Sequence, residues 1–149
     1  MQKVVIYTDG GARNNPGPAG AGVIMYDGDP STGSTSSPQA GSGREISSIR
    51  KFLGSQTNNW AEYEAVAIAL AEAKRLRLTD RTLEIRMDSK LVVEQVSGNW
   101  KIKEPTLKPQ CAKVKALLKD FAAHSFVHIP REKNAEADRL VNEAIDSSR

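Results

Sequence analysis

Three strand-like segments follow one another before any helical pattern begins, and beyond it strands and helices alternate. That order restricts the chain to a sheet that opens as an antiparallel meander and continues with parallel additions. Residues 3–8 alternate and are β-branched or aromatic, and Asp9-Gly10-Gly11 ends or bulges the strand. A second strand is expected over 20–26, after the Pro16-Gly17-Pro18 turn, and a third over 44–53, where Ile46, Ile49 and Phe52 alternate imperfectly. Tyr63, Val66, Ala67, Leu70 and Ala73 recur at helical spacing and predict a helix over 60–77, with Asn58 or Asn59 as its N-cap. Residues 82–87 place Leu83, Ile85 and Met87 on one face of a strand, and 89–96 read as a short helix closed by Gly98. A further helix is expected after Pro109, a strand over 125–129, and a last helix capped by Asn134. The order is β β β α β α α β α, a mixed five-stranded α/β sheet with helices packed on both faces.

A chain of 149 residues is most simply one domain, 1–149, large enough to bury a full core without staples. Between the second and third strands, 27–43 is rich in Ser, Thr, Gly and Pro and is expected to be a flexible loop or hairpin tip. Cys111 is the single cysteine and cannot close an internal disulfide. The N-terminus lacks a basic-then-apolar secretory pattern, and no apolar run approaches the roughly 20 residues of a membrane span, so a cytoplasmic, membrane-free setting is expected. The net charge is only +3, but Lys101, Lys103, Lys108, Lys113, Lys115 and Lys119 crowd one region. They form either a basic groove or a solvated lysine-rich helix face.

Four acids carry the chemistry: Asp9, Glu62, Asp88 and Asp138 each fall at a strand end or in the first turns of a helix. Singly, each has a simpler explanation. Asp138 and Glu62 could favour a helix dipole, and Asp88 could cap the helix that follows it. Those explanations give no reason for four. If the strands carrying Asp9 and Asp88 are neighbours and the two helices begin near their ends, the carboxylates converge and repel unless a cation intervenes. Magnesium, hard and oxygen-seeking, suits such a site, whereas two histidines and one cysteine do not suit zinc. Two such ions side by side would activate a water and neutralise a leaving oxygen.

A second constellation is the loop from Asp9 to Pro18, whose glycines permit close backbone approach and whose Asn15 can donate and accept hydrogen bonds. It lacks the spacing and following helix of a dinucleotide fingerprint. Thr57-Asn58-Asn59 precedes Glu62, and with the loop it could line a groove with hydroxyl and amide groups suited to sugars.

Taken together, Tyr7-Thr8-Asp9-Gly10-Gly11 with Asn15-Pro16-Gly17-Pro18, Thr57-Asn58-Asn59 with Glu62, Met87-Asp88-Ser89, and Arg131-Glu132-x-Asn134 with Asp138 resemble type 1 ribonuclease H, in the compact form without the basic protruding helix. The pieces come in the family's order and span nearly the whole chain. The resemblance implies a single ribonuclease H domain that endonucleolytically hydrolyses the RNA strand of RNA–DNA hybrids, leaving 5′-phosphate and 3′-hydroxyl ends. It implies that Asp9, Glu62, Asp88 and Asp138 hold two Mg2+ ions, with Mn2+ able to substitute. Asn15, Asn58 and Asn59 match positions that read RNA 2′-hydroxyls, the one group separating RNA from DNA at a nucleotide, and Thr57 matches a contact to the DNA phosphates. With residues 96–105 too short for a protruding helix, hybrid binding is expected to rest on Trp100, Lys101 and Lys103. Arg131 is expected near the scissile region, His128 is expected to be structural, and His124 is expected in an exposed loop. A monomer with no obligate protein partner is expected. The alternatives are a polynucleotidyl transferase or exonuclease on the same sheet, against which Asn15, Asn58 and Asn59 speak, and a silent hybrid-binding module, against which the acid quartet speaks.

Overall fold

The computed structural model describes residues 3–30 and 43–148. Of the loop expected over 27–43, residues 31–42 lie outside the described residues. The five strands are β1 (Val4–Ala12), β2 (Gly17–Asp27), β3 (Arg44–Gln56), β4 (Thr82–Met87) and β5 (Ala123–His128). The helices are α1 (Asn58–Arg75), α2 (Lys90–Val96), α3 (Leu107–Leu118) and α4 (Ala135–Asp146), the last preceded by a 3-10 turn at Arg131–Asn134. The sheet order is β3-β2-β1-β4-β5. β1, β2 and β3 pair antiparallel, and β4 and β5 add in parallel beside β1. The meander and the parallel additions both match the sequence expectation.

Strand periodicity sorts the core into two layers. Val4, Ile6, Val23, Met25, Leu83, Ile85 and Met87 join the buried cluster that holds α1, α2 and α3. The opposite face of the sheet receives Ala137, Leu140, Val141 and Ala144 of α4, as shown by what stands against Gly20 and Gly22. Helices therefore cover both faces.

Two glycines set how near those helices come. A Cβ on Gly10 would stand 2.2 Å from the carbonyl oxygen of Ala61, and one on Gly22 would stand 2.3 Å from that of Ala137. Only bare backbone lets α1 rest on β1 and α4 rest on β2. Because Glu62 follows Ala61, Asp138 follows Ala137, and Gly22 pairs with Asp9 in the sheet register, these two approaches also deliver carboxylates toward Asp9.

Element ends differ from the expectations in instructive ways. Thr57, not Asn58 or Asn59, caps α1: its backbone is extended and its Oγ1 accepts from Trp60 N at 3.2 Å. Asn58 is drawn elsewhere, its Oδ1 accepting from Ala12 N at 2.7 Å. α3 starts at Leu107 rather than after Pro109; a proline in the first turn removes an N–H that has no intrahelical partner anyway. β5 begins at Ala123, so His124 is an exposed strand residue set edge-on to Phe126 rather than a loop residue. Asn134 occupies the cap position of α4 but makes no cap hydrogen bond; its Nδ2 donates to Thr8 O at 2.8 Å, pinning the start of the helix to β1. On the other flank of the sheet, β2 runs through Asp27, which accepts from Arg81 at 2.7 Å, while Asp29 pairs with Arg86 at 2.6 Å.

Candidate active site

Asp9 is the buried centre of an acidic cleft at the carboxyl end of β4; β1 neither ends nor bulges at Asp9-Gly10-Gly11, as the sequence suggested, but runs on through both glycines to Ala12 in unbroken register with β2. Ser89 caps α2 by accepting from Val92 N at 3.3 Å, which relieves Asp88 of the capping role and leaves it beside the cleft. The Gly10 N–H donates at 3.0 Å to Asp9 Oδ1 and at 3.0 Å to Glu62 Oε1, so one backbone donor holds two carboxylates. One carboxylate oxygen from each of Asp9, Glu62 and Asp88 lies within 4.8 Å of the others. Asp138, in the first turn of α4 and exposed, lines the same cleft, as do Ser89, Asn58, Asn59 and Arg131; its volume is about 290 Å³. The four acids expected from the sequence are thus brought together, three in a tight triad and Asp138 beside it.

Such proximity has an electrostatic consequence. Burial, and then the charges of Asp88 and Asp138, push Asp9 up from 3.8 to about 8, with the Gly10 N–H pulling the other way. Burial, Asp9 and Asp88 hold Glu62 well above the usual carboxylate range, opposed by the Gly10 N–H and by Arg131. Like charges in a poorly solvated cleft either keep protons or bind a cation. The donor set is all oxygen, which fits a hard divalent ion. Neither histidine lines the cleft and Cys111 is buried within α3, so a nitrogen- or sulfur-ligated ion finds no ligands there.

The polar rim is tied together by reciprocal bonds. Asn15 Oδ1 accepts from Asn58 N at 2.8 Å while Asn58 Oδ1 accepts from Ala12 N, clasping the β1–β2 turn to the start of α1. Both amide oxygens are thereby engaged, which turns the NH2 of each side chain to the rim as a donor for a ligand. Asn59 is exposed with no side-chain partner among the described residues. Thr57 spends its acceptor on the cap and keeps its hydroxyl proton. Asn59 also reaches a second, larger cleft of about 520 Å³, whose far wall is Trp100, Lys101 and Lys103. Trp100 is 43% exposed. Of the other lysines in that region, Lys113 is neutralised by Glu64 and lies against Trp60. Arg131 is exposed at the start of the 3-10 turn, facing the acids, whereas His128 is an exposed residue at the end of β5 outside both clefts.

Two contributors escaped the sequence reading. Ser89 stands beside Asp88 as a generic polar residue, and its cap role is visible only as a serine preceding an apolar stripe. Gln95 is a polar residue among Val92, Val93 and Val96, and a polar residue on an apolar helix face is the one signal that could have marked it.

The mixed five-stranded sheet and the acid triad beside the carboxyl end of β4 define a ribonuclease H-like domain, and the family described as reverse transcriptase-like matches residues 7–144. The chain belongs to the ribonuclease H family. It is 35% identical to the crystal structure of RNase H1 from the halophilic archaeon Halobacterium salinarum, covering 97% of this chain and 98% of that one with a TM-score of 0.84. It is 45% identical to LC11-RNase H1, solved in complex with an RNA/DNA hybrid, covering 98% and 99% of the two chains with a TM-score of 0.83. A bifunctional protein of Mycobacterium tuberculosis is 42% identical over 98% of this chain, and the chain spans 36% of that relative's length.

Proposed function

We propose that the chain is an endonuclease that hydrolyses the RNA strand of RNA–DNA hybrids with divalent metal ions, leaving 5′-phosphate and 3′-hydroxyl ends. The observation that carries this reading is the convergence of Asp9, Glu62 and Asp88 within 4.8 Å in a cleft rimmed by asparagine side chains. The hybrid bound by LC11-RNase H1, at 45% identity over nearly the whole chain, supports the substrate.

In this reading Asp9, Glu62, Asp88 and Asp138 hold the metal. Two Mg2+ ions, or Mn2+ in their place, would supply an activated water on one side of the phosphate and charge neutralisation on the other. The chain's own residues do the rest. The Gly10 N–H fixes Asp9 and Glu62 so that both present oxygens to one point. Arg131, already attracted to Glu62, brings a positive charge to the phosphate beside the scissile bond. Asn15, Asn58 and Asn59 donate through their amides to 2′-hydroxyls of the RNA strand, and Thr57 donates to a phosphate of the DNA strand. Trp100, Lys101 and Lys103 hold that second strand, the indole by stacking and the ammonium groups by charge. The chain acts as a monomer without an obligate protein partner; among the described residues no helix is long and apolar enough to cross a membrane.

The test is a gel assay of labelled RNA–DNA hybrid beside single-stranded RNA, double-stranded RNA and duplex DNA, with and without magnesium. Cleavage confined to the RNA of the hybrid and dependent on the ion is expected. Equal cleavage of duplex DNA, or undiminished cleavage in chelator, would remove the reading.

A further inference from the structure

The residue after Glu62 begins a buried polar chain that the cleavage chemistry does not use. Tyr63 is fully buried on α1 and its hydroxyl donates to Gln95 Oε1 of α2 at 2.7 Å. Gln95, itself only 4% exposed, donates through Nε2 to the carbonyl oxygen of Lys101 at 3.3 Å. The direction of this chain is fixed. A carbonyl can only accept, so the amide nitrogen of Gln95 faces Lys101 and its oxygen faces Tyr63. The Tyr63 hydroxyl is then the donor to that oxygen.

What the chain connects gives it meaning. Residues 97–106 form no helix or strand. The start of the segment is held by Asn99 N and Trp100 N, which donate to Glu94 O at 2.9 and 3.2 Å. Past Trp100, Gln95 supplies the hydrogen bond to the Lys101 backbone. On α1, Asn59 stands one turn before Tyr63 and lines both the acid cleft and the cleft walled by Trp100, Lys101 and Lys103. Tyr63 and Gln95 therefore link the helix that carries Glu62 to the backbone of the aromatic–basic wall, beside the packing of Ile102 against the core.

We propose that Gln95 is a positioning residue that, between the Tyr63 hydroxyl and the Lys101 carbonyl, fixes the Trp100–Lys103 wall at the distance from the acid cluster that a two-stranded substrate requires. The inference rests on the hybrid-cleavage reading for its substrate, while the placement of the wall can be read in the free protein. Gln95→Met keeps length and burial but removes both hydrogen bonds, and Tyr63→Phe removes a single hydroxyl.

The experiment measures kcat and KM for hybrid cleavage by both single variants and the double variant, with circular dichroism to verify folding. In a Trp60→Phe background it adds acrylamide quenching of Trp100 without substrate. Gln95→Met is expected to raise KM roughly five- to tenfold, the effect of losing buried hydrogen bonds, with kcat within about twofold and Trp100 more readily quenched. Tyr63→Phe should do the same more weakly, and the double variant should fall short of the summed effects, as coupled neighbours do. Unchanged KM, a loss confined to kcat, fully additive singles or unaltered quenching would each overturn the proposal. If Gln95→Met does not fold, Tyr63→Phe alone decides between the same outcomes. Should the wild-type chain fail to cut hybrids while Gln95→Met still loosens Trp100, the substrate reading falls and the placement of the wall by Gln95 stands.

Discussion

Asp9 is where burial and charge conflict most directly. In the metal-free chain it is pushed up from 3.8 to about 8, so the folded state keeps a proton that the unfolded state releases near its ordinary pKa. A raised pKa contributes stability that is complete below the unfolded value and is lost as pH rises through the folded one. Melting temperature in chelator should therefore fall as pH rises from about 4 to about 8, and Asp9→Asn should flatten that fall and melt higher than wild type at the alkaline end. Divalent ion should restore wild type and leave the variant unmoved. The same variant should bind hybrid but not cut it, as should Asp88→Asn. Melting curves that rise with pH in chelator, or turnover retained in both variants, would remove the acid site as described. The asparagines separate at this scale too. Asn15→Ala removes the acceptor for Asn58 N as well as an amide donor, and should lower both melting temperature and cleavage rate. Asn59→Ala should lower the rate by roughly fivefold, one lost hydrogen bond, with the melting temperature unmoved. A rate equal to wild type would make Asn59 a bystander.

At the scale of elements, the close approach of helix to sheet decides whether the acids meet. Gly22→Ala places a Cβ against the Ala137 carbonyl and forces α4 outward. The expected cost is about 1–3 kcal/mol, the usual penalty for overfilling a packed interface, read from urea denaturation. Cleavage should drop further than stability alone accounts for, because Asp138 retreats with the helix. A variant as stable and active as wild type would show that α4 does not rest on the bare backbone of β2 at Gly22. The same contacts explain what the sequence could and could not say. Strand and helix order was legible because periodicity is local, and the four acids were legible because each sits in its own short, distinctive stretch of sequence; that Asp9 lies inside β1, three residues before its end, was not. The cap of α1 was not. Thr57, Asn58 and Asn59 are all competent, and the choice turned on Ala12, a partner 46 residues away that draws Asn58 off. Nor was the role of Gly22, which exists only once α4 crosses β2, or the bond between Tyr63 and Gln95, which spans 32 residues.

For the whole molecule, the two clefts share Asn59 and together present amides, acids and a basic aromatic wall along one surface. A substrate filling both has one strand over the acids and another on the wall, so recognition should need several consecutive ribonucleotides rather than a particular sequence. Cleavage of a uniform hybrid should outpace that of a strand with one ribonucleotide flanked by DNA, as the proposed reading of neighbouring 2′-hydroxyls by Asn15, Asn58 and Asn59 requires. The wall should reveal itself through salt. Each phosphate neutralised by a lysine steepens the fall of log affinity with log salt by somewhat under one unit. Lys101→Gln with Lys103→Gln should therefore weaken hybrid binding and shallow that slope by between about one and two, leaving kcat at saturating substrate nearly intact. Trp100→Ala should weaken binding with the slope unchanged, because stacking releases no counterions. Equal rates on the two hybrids would sink the idea of consecutive 2′-hydroxyl readers, and an unaltered salt slope in the lysine double variant would show that those ammonium groups face solvent rather than phosphate.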